Sequence, residues 1–379
     1  MKALAAIFCL ISCSHIATKR DTHDPLVGKE KLTLLMTSAR LAELEPCGCD
    51  MAPTGGLVRE HNKIQQWKKT IGGNFLGMAM GPSFYAEADE EKPYLKLKSM
   101  ALAEGFRKNQ LELLGLDALD FFLGTEVLSE LQKKSGAQFI STNLMSVTLP
   151  FVKKYVEIEY GGFPLLVMAV SAVRTGKLLP KGVAIVEPKK AIEEVLKSLP
   201  SKERLVMVLS SMTPQENESL AKAIPQLRMV LGATQSTPFV TLGHGRTLIG
   251  SPSVKGRGIL RMTLDPLTAL GNFFTLDKAN TEIFQKSFRA KRLAEIDADL
   301  KGKLKSSEKK ELLAEKNKIS QAMATADPDP MNRKNKIIYD AETVRLFEDL
   351  DQPTNELVPL IENYKKAVRD LSLQIDGAK

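Results

Sequence analysis

Histidine and cysteine are scarce: the chain has four of each in 379 residues. His15 and His23 fall in a polar stretch near the start, His61 in an expected helix, and His244 in a Gly-His-Gly turn. A histidine-rich dinuclear metal centre cannot be assembled from that set. Long apolar runs are also missing, and no internal stretch could cross a bilayer. Aromatic residues make up 6% of the chain, with one tryptophan, and no basic stripe is interleaved with them. That argues against nucleic-acid binding, although the formal net charge is +8, because Lys and Arg alternate with Asp and Glu and read as a solvated surface.

What is present begins at the amino terminus. Met1-Lys2 is followed by the apolar run Ala3 to Ile11, too short for a span and the right size for a signal-peptide core. The run leads into Leu10-Ile11-Ser12-Cys13, which resembles a bacterial lipoprotein signal. On that reading residues 1–12 are removed, Cys13 carries lipid, and residues 13–28 form a polar tether. The membrane is then a partner through the anchor. Ser14 favours the outer membrane of a Gram-negative-type envelope, with the protein facing the periplasm. The mature chain keeps Cys47 and Cys49, in an oxidising compartment.

Further on, the pattern predicts buried strands at Lys31–Met36 and Asn74–Met80, with a helix over Leu57–Thr70 between them. A helix is expected over Tyr94–Leu114, a strand at "QFISTNLM", and a hairpin turning on Gly161-Gly162. Helix Pro188–Leu199, strand "RLVMVLSS" and strand "RMVLG" follow. Thr213-Pro214-Gln215-Glu216 has a capping-box pattern with proline at the first helical position. Short strands are expected near Thr247–Ile249 and Ile259–Leu264. The expected fold class is α/β, with mixed sheets covered by helices, over residues 29–276. Residues 277–379 read as a lysine-rich helical extension. A breaker, "ADPDPMN", precedes a last helical stretch from Asp340 to Leu373. The extension could pack on its own domain, take a protein partner, or lie on lipid head groups.

The stretch "LEPCGCDMAPTGGLVRE", Leu44 to Glu60, carries the most specific signal. Leu-Glu-Pro-Cys-Gly-Cys followed by Gly-Gly-Leu-x-Arg resembles a subgroup of envelope proteins related to the amino-terminal domain of bacterial 5′-nucleotidases, in the calcineurin-like metallophosphoesterase superfamily. Support comes from "GLDALDFF", "FISTNL", "RLVMVLS" and "LRMVLGATQS", in the family's order. The resemblance covers about Lys31 to Pro266 and implies a β-sandwich flanked by helices (αββα). The family works with two divalent metals held by Asp, His and Asn. Here the matching positions hold Ala39, Leu41, Pro82, Leu123, Gly124, Ser211, Thr234 and Ser236. The resemblance therefore implies a kept fold and an erased metal site: a pseudoenzyme with no cofactor, which binds a ligand or partner. The alternative is a 5′-nucleotidase-like hydrolase with two divalent metals in a rebuilt site, for which Arg40 is the candidate anion contact.

Cys47 and Cys49 leave several readings open. They could form a strained disulfide, remain free thiols under the vestigial pocket, or serve metal or redox chemistry. A zinc site with His61 is conceivable, but its spacing is unfamiliar. The favoured reading is structural: Glu45, Pro46 and Gly48 shape a rigid loop that presents Gly55, Gly56 and Arg59.

Overall fold

The computed structural model describes residues 31–47, 53–71, 75–86, 92–145, 149–160, 163–173, 183–232, 234–244, 246–265, 272–302, 305–326 and 336–377. Cys13, Gly48, Cys49 and the turn Gly161-Gly162 lie outside these residues.

The amino-terminal half runs β1 (Leu32–Ser38), α1 (Leu57–Ile71), β2 (Leu76–Met80), α2 (Lys92–Lys108), β3 (Leu111–Gly115), α3 (Thr125–Ser135), β4 (Gln138–Ile140), β5 (Leu144–Met145) and β6 (Val152–Lys153). The hairpin strands β7 (Tyr155–Tyr160) and β8 (Phe163–Val170) come next. After them stand β9 (Ala184–Ile185), α4 (Pro188–Ser198), β10 (Leu205–Ser210), α5 (Pro214–Ala223), β11 (Leu227–Leu231), β12 (Phe239–Gly243), β13 (Thr247–Ser251) and β14 (Gly258–Leu264). The carboxy-terminal part contains β15 (Asn272–Thr275), α6 (Leu276–Asp299), α7 (Ser306–Ala324), β16 (Lys336–Arg345) and α8 (Val358–Gly377).

Two mixed sheets face each other. One has strand order β15-β16-β14-β1-β2-β3-β4-β6 and the other β12-β13-β11-β10-β8-β7. Strands β1 to β4 run parallel in the first, and β8, β10, β11 and β13 in the second. Such strands are buried on both faces and read as continuous apolar runs. Between the sheets lies a methionine-rich core that includes Met36, Met78, Met80, Met207, Met229 and Met262. Unbranched, flexible methionines fill an irregular inter-sheet gap well. The outer face of the first sheet is covered through Leu102, Phe106, Phe121, Phe139 and Ile361. That of the second is covered through Ile192, Val195 and Leu220. The result is the expected αββα layering.

The start of α5 matches its sequence pattern: the Thr213 hydroxyl accepts from Glu216 N and the Glu216 carboxylate accepts from Thr213 N, with Pro214 at the first turn. The expected Tyr94–Leu114 helix stops at Lys108 and its last residues form β3. The segment 277–379 is not wholly helical either. Residues 336–345 form β16, which pairs antiparallel with β14 along its whole length. Alternating Ile337 and Tyr339 are buried while Asp340 is exposed. The open edge of β14 decides the outcome, because pairing there buries one face of the segment and satisfies its backbone. The last helix therefore begins at Val358 rather than Asp340, and it packs through Leu357 and Ile361 onto the same cluster as α2. Helices α6 and α7 form a hairpin joined by Arg292–Glu315 (2.9 Å) and Lys316–Asp297 ion pairs.

Candidate functional site

Parallel strands end together, and in open α/β sheets the loops at their carboxyl ends form the natural site. Here β1 leads into Ala39-Arg40-Leu41-Ala42. Ala39, Leu41 and Ala42 all have positive φ, at 41°, 52° and 57°. Left-handed backbone at non-glycine residues costs on the order of 1–3 kcal/mol each, and surrounding bonds must hold it. They do: Ala39 N donates to Met80 O (2.8 Å), Leu41 N to Pro82 O (3.0 Å) and Ala42 N to Ser83 O (2.7 Å). The turn is laced onto the end of β2. Ala39, Leu41 and Pro82 are buried and present no donor atoms in their side chains. Leu123 packs beside the buried cluster of Ala42, Ala86 and Leu95, and Gly124 is the residue before α3. Thr234 and Ser236 lie on the loop after β11, half-buried and exposed respectively. Ser236 O accepts from Ser253 Oγ at 2.7 Å.

Two carboxylates dominate these strand ends, and the sequence pattern singles out neither as a site residue. Asp117 and Asp120 frame a 3-10 turn over Ala118–Phe121. Asp117 Oδ1 accepts from Leu119 N (2.9 Å), and its Oδ2 accepts from the hydroxyls of Ser171 (3.1 Å) and Ser211. Ser211 Oγ also accepts from Ala172 N at 3.1 Å. Asp117 thus joins the first sheet to residues that follow β8 and β10 in the second. Asp120 Oδ1 accepts from Ser83 N (2.6 Å) and Phe84 N (2.8 Å), and Oδ2 from Asp117 N (2.9 Å). Burial pushes the Asp120 carboxyl up to about 7, with the Asp117 charge adding to the rise and the three backbone N–H groups opposing it. The available signal was the Asp-x-x-Asp spacing right after an apolar strand, a capping-box pattern.

Arg40 does not face this end as an anion contact. Its guanidinium is fully buried and donates to Glu60 Oε2 (2.9 Å) and Glu43 O (2.7 Å). Glu60 Oε1 accepts from Asn109 Nδ2 (2.9 Å), and Asn109 Oδ1 meets His61 Nδ1 at 2.8 Å. An arginine cannot shed its charge on burial, so it takes an internal carboxylate. Removing one partner of such a pair costs about 3–5 kcal/mol.

The motif loop is tied to the carboxy-terminal segment. Arg59 forms a two-point pair with Asp351, at 2.8 and 2.7 Å, and donates to Pro53 O at 2.6 Å. Asn62 Nδ2 donates to Leu350 O (2.7 Å), and Gly55 N to Leu346 O (2.8 Å). Gly55 and Gly56 have φ of 90° and 96°. A side chain on Gly56 would meet the Pro46 ring at 2.9 Å. Only glycine tolerates both demands. Glu45 pairs with Lys365 on α8 at 2.7 Å. Cys47 holds Thr54 in a short antiparallel bridge, and its thiol is free and half-buried, with Arg257 Nη2 3.6 Å from Sγ.

With this geometry described, comparison with solved structures is informative. The chain superposes on a 5′-nucleotidase precursor from Thermus thermophilus with a TM-score of 0.60 at 14% identity. For the NAD nucleotidase of Haemophilus influenzae the TM-score is 0.57 at 13% identity. In both cases 90% of this chain and 60% of the other are covered. A putative 5′-nucleotidase from Staphylococcus aureus gives 0.52 at 11%, over 62% of this chain and 51% of that one. The fold is that of the calcineurin-like metallophosphoesterases. The chain spans about 60% of the length of the first two structures it matches. No protein-family model and no curated protein matches the sequence.

Metallophosphoesterase folds suit a metal pair when donors converge at the strand ends, and this chain's donors do not fit one. The side chains of Ala39, Leu41, Pro82 and Leu123 supply none, and the Ser211 hydroxyl is engaged with Asp117 and Ala172. Among the described residues, no group of three or more His, Cys, Asp or Glu side chains could hold a metal ion.

Asp120 generates a pH prediction. Its folded carboxyl titrates at about 7, against 3.8 ordinarily, so the folded state holds the proton more tightly. The stabilisation is complete below about pH 4 and is lost as pH rises through 7, up to about 4 kcal/mol in all. Urea denaturation should find the protein less stable at pH 8 than at pH 5, and Asp120→Asn should flatten that difference. Equal stability of the unmutated protein at the two pH values would refute the assignment.

Proposed function

We propose that this chain is a catalytically silent metallophosphoesterase-fold lipoprotein of a bacterial cell envelope, acting by binding a ligand or partner rather than by phosphoester hydrolysis. The observation that carries the reading is the state of the strand ends. Buried apolar side chains stand where metal donors would be needed, and Asp117, Asp120, Ser171 and Ser211 are bonded to one another and to backbone. A two-metal reaction needs several open donors that activate a water and clamp phosphoryl oxygens. Helix α7 buries none of its side chains, which leaves a face for a partner. Purified protein given a nucleotide or a generic phosphate ester, with Mn²⁺ or with Zn²⁺, should turn over neither. Turnover abolished by a chelator would reverse the reading in favour of a 5′-nucleotidase-like hydrolase with a rebuilt site.

The anchor is part of the proposal. Cys13 carries lipid and tethers the folded domain to the periplasmic face of the outer membrane, with multiple acyl chains giving stable attachment. Cys13→Ala should move the protein from the membrane to the soluble fraction; a variant that stays membrane-bound would count against lipidation.

One observation favours a second reading, in which the Cys47/Cys49 pair does thiol redox chemistry. A guanidinium beside a thiol favours the thiolate, the reactive form, and Arg257 stands in that position. Mass spectrometry with and without reductant should then find the pair interconverting between dithiol and disulfide. A pair that stays reduced in air, or oxidised in strong thiol, would exclude it.

A further inference from the structure

The end of the sandwich opposite the strand-end loops carries a feature that the proposed function does not use. Arg228 is the second residue of β11, and Arg246 directly precedes β13. These strands are parallel neighbours, with Met229 facing Leu248, so the two arginines stand together at the amino-terminal ends of adjacent strands. Arg228 lies over the Phe273 ring, 5.2 Å from its centroid. Phe273 in turn meets Tyr339 edge-on at 5.8 Å. Both arginines are half-buried, and Arg246 Nε is buried with no hydrogen-bond partner.

Carboxylates of this region make pairs of their own. Asp265 pairs with Lys31 at 3.5 Å, Glu157 with Arg204 at 2.8 Å, and Glu218 reaches His244 at 4.0 Å. The adjoining stretches Gly245 and Pro266 to Gly271 contain no acidic residue. Burial, and then the charge of Arg246, hold the Arg228 guanidinium below its usual range. Two cations held close in a half-buried setting repel, and an anion between them relieves both the repulsion and the desolvation. The planar fork of arginine matches the oxygens of a phosphoryl group, and an aromatic floor orients it.

We propose that Arg228 and Arg246 form a binding site for a phosphoryl oxyanion, each guanidinium donating hydrogen bonds to its oxygens. The placement bears on the source. Leu32 pairs with Leu264 and Leu264 with Tyr339, so the site lies at the end of the sandwich where β1 begins. The tether of residues 13–28 precedes that strand. The oxyanion is therefore either a free phosphate compound or the head group of an anionic phospholipid. The second source rests on the lipid-anchor reading, whereas the site itself does not.

Calorimetry on the purified full chain, with inorganic phosphate against chloride at matched ionic strength, tests the free source. Sedimentation of the Cys13→Ala chain with phosphatidylglycerol vesicles against phosphatidylcholine vesicles tests the head group without help from the anchor. Binding in either arm, weakened about tenfold by Arg246→Gln, is the expected result; which arm binds names the source. The proposal is overturned if neither ligand binds, or if Arg246→Gln binds as the unmutated chain does. Arg246 sits on a turn, whereas Arg228 packs on Phe273, so the test survives a poorly folding Arg228→Gln. Hydrolysis at the strand-end loops would leave this result unchanged, so the two readings fail separately.

Discussion

The carboxylate of Asp117 accepts hydroxyls from Ser171 and Ser211 at the point where the two sheets come together. Much of the strand-end architecture depends on this junction. Each parallel strand delivers its last residue to the same end of the sandwich, so side chains there must meet across the sheet interface. Polar groups brought together in that way need partners, since an unsatisfied buried donor or acceptor costs about 1–3 kcal/mol. In this chain they partner one another. Asp120 completes the arrangement by holding the β2 end through Ser83 N and Phe84 N.

The same rule explains Arg40 and the motif loop. A permanently charged guanidinium next to the strand ends is neutralised inward by Glu60, and Glu60 is held in turn by Asn109. Arg59, the arginine of the Gly-Gly-Leu-x-Arg motif, is taken by Asp351. The motif therefore works as a clasp. It receives the segment after β16, and the two glycines let backbone approach Pro46 and Gly256 closely enough to close it. That assigns a structural task to Gly55, Gly56 and Arg59, and leaves the Cys47 thiol beside Arg257 at the edge of the clasp.

Much of the fold was legible in the sequence because its signals are local. Buried runs such as Leu205–Ser210, and the Thr213-Pro214-x-Glu216 cap, state their conformation within a few residues. The losses at the metal-ligand positions were legible as well, through the family resemblance. Asp117 and Asp120 were not, because a carboxylate in a short turn reads as solvated until the second sheet covers it. Arg40 was misplaced for a similar reason: its partner Glu60 is 20 residues away and meets it only after α1 packs.

By itself the sequence determined the αββα class, the strand and helix periods of most of the first 266 residues, and the lack of histidines enough for a metal pair. The periods and the histidine count follow from hydrophobic patterning and composition, and the class from the motifs that carry the resemblance; none needs knowledge of distant partners. Tertiary structure alone decided that Lys336–Arg345 is a strand, that Arg59 clasps Asp351, and that Arg228 and Arg246 share one end of the sandwich. In each case the deciding energy comes from a group far away in the chain or on a neighbouring strand: a free sheet edge, a carboxylate or a second cation.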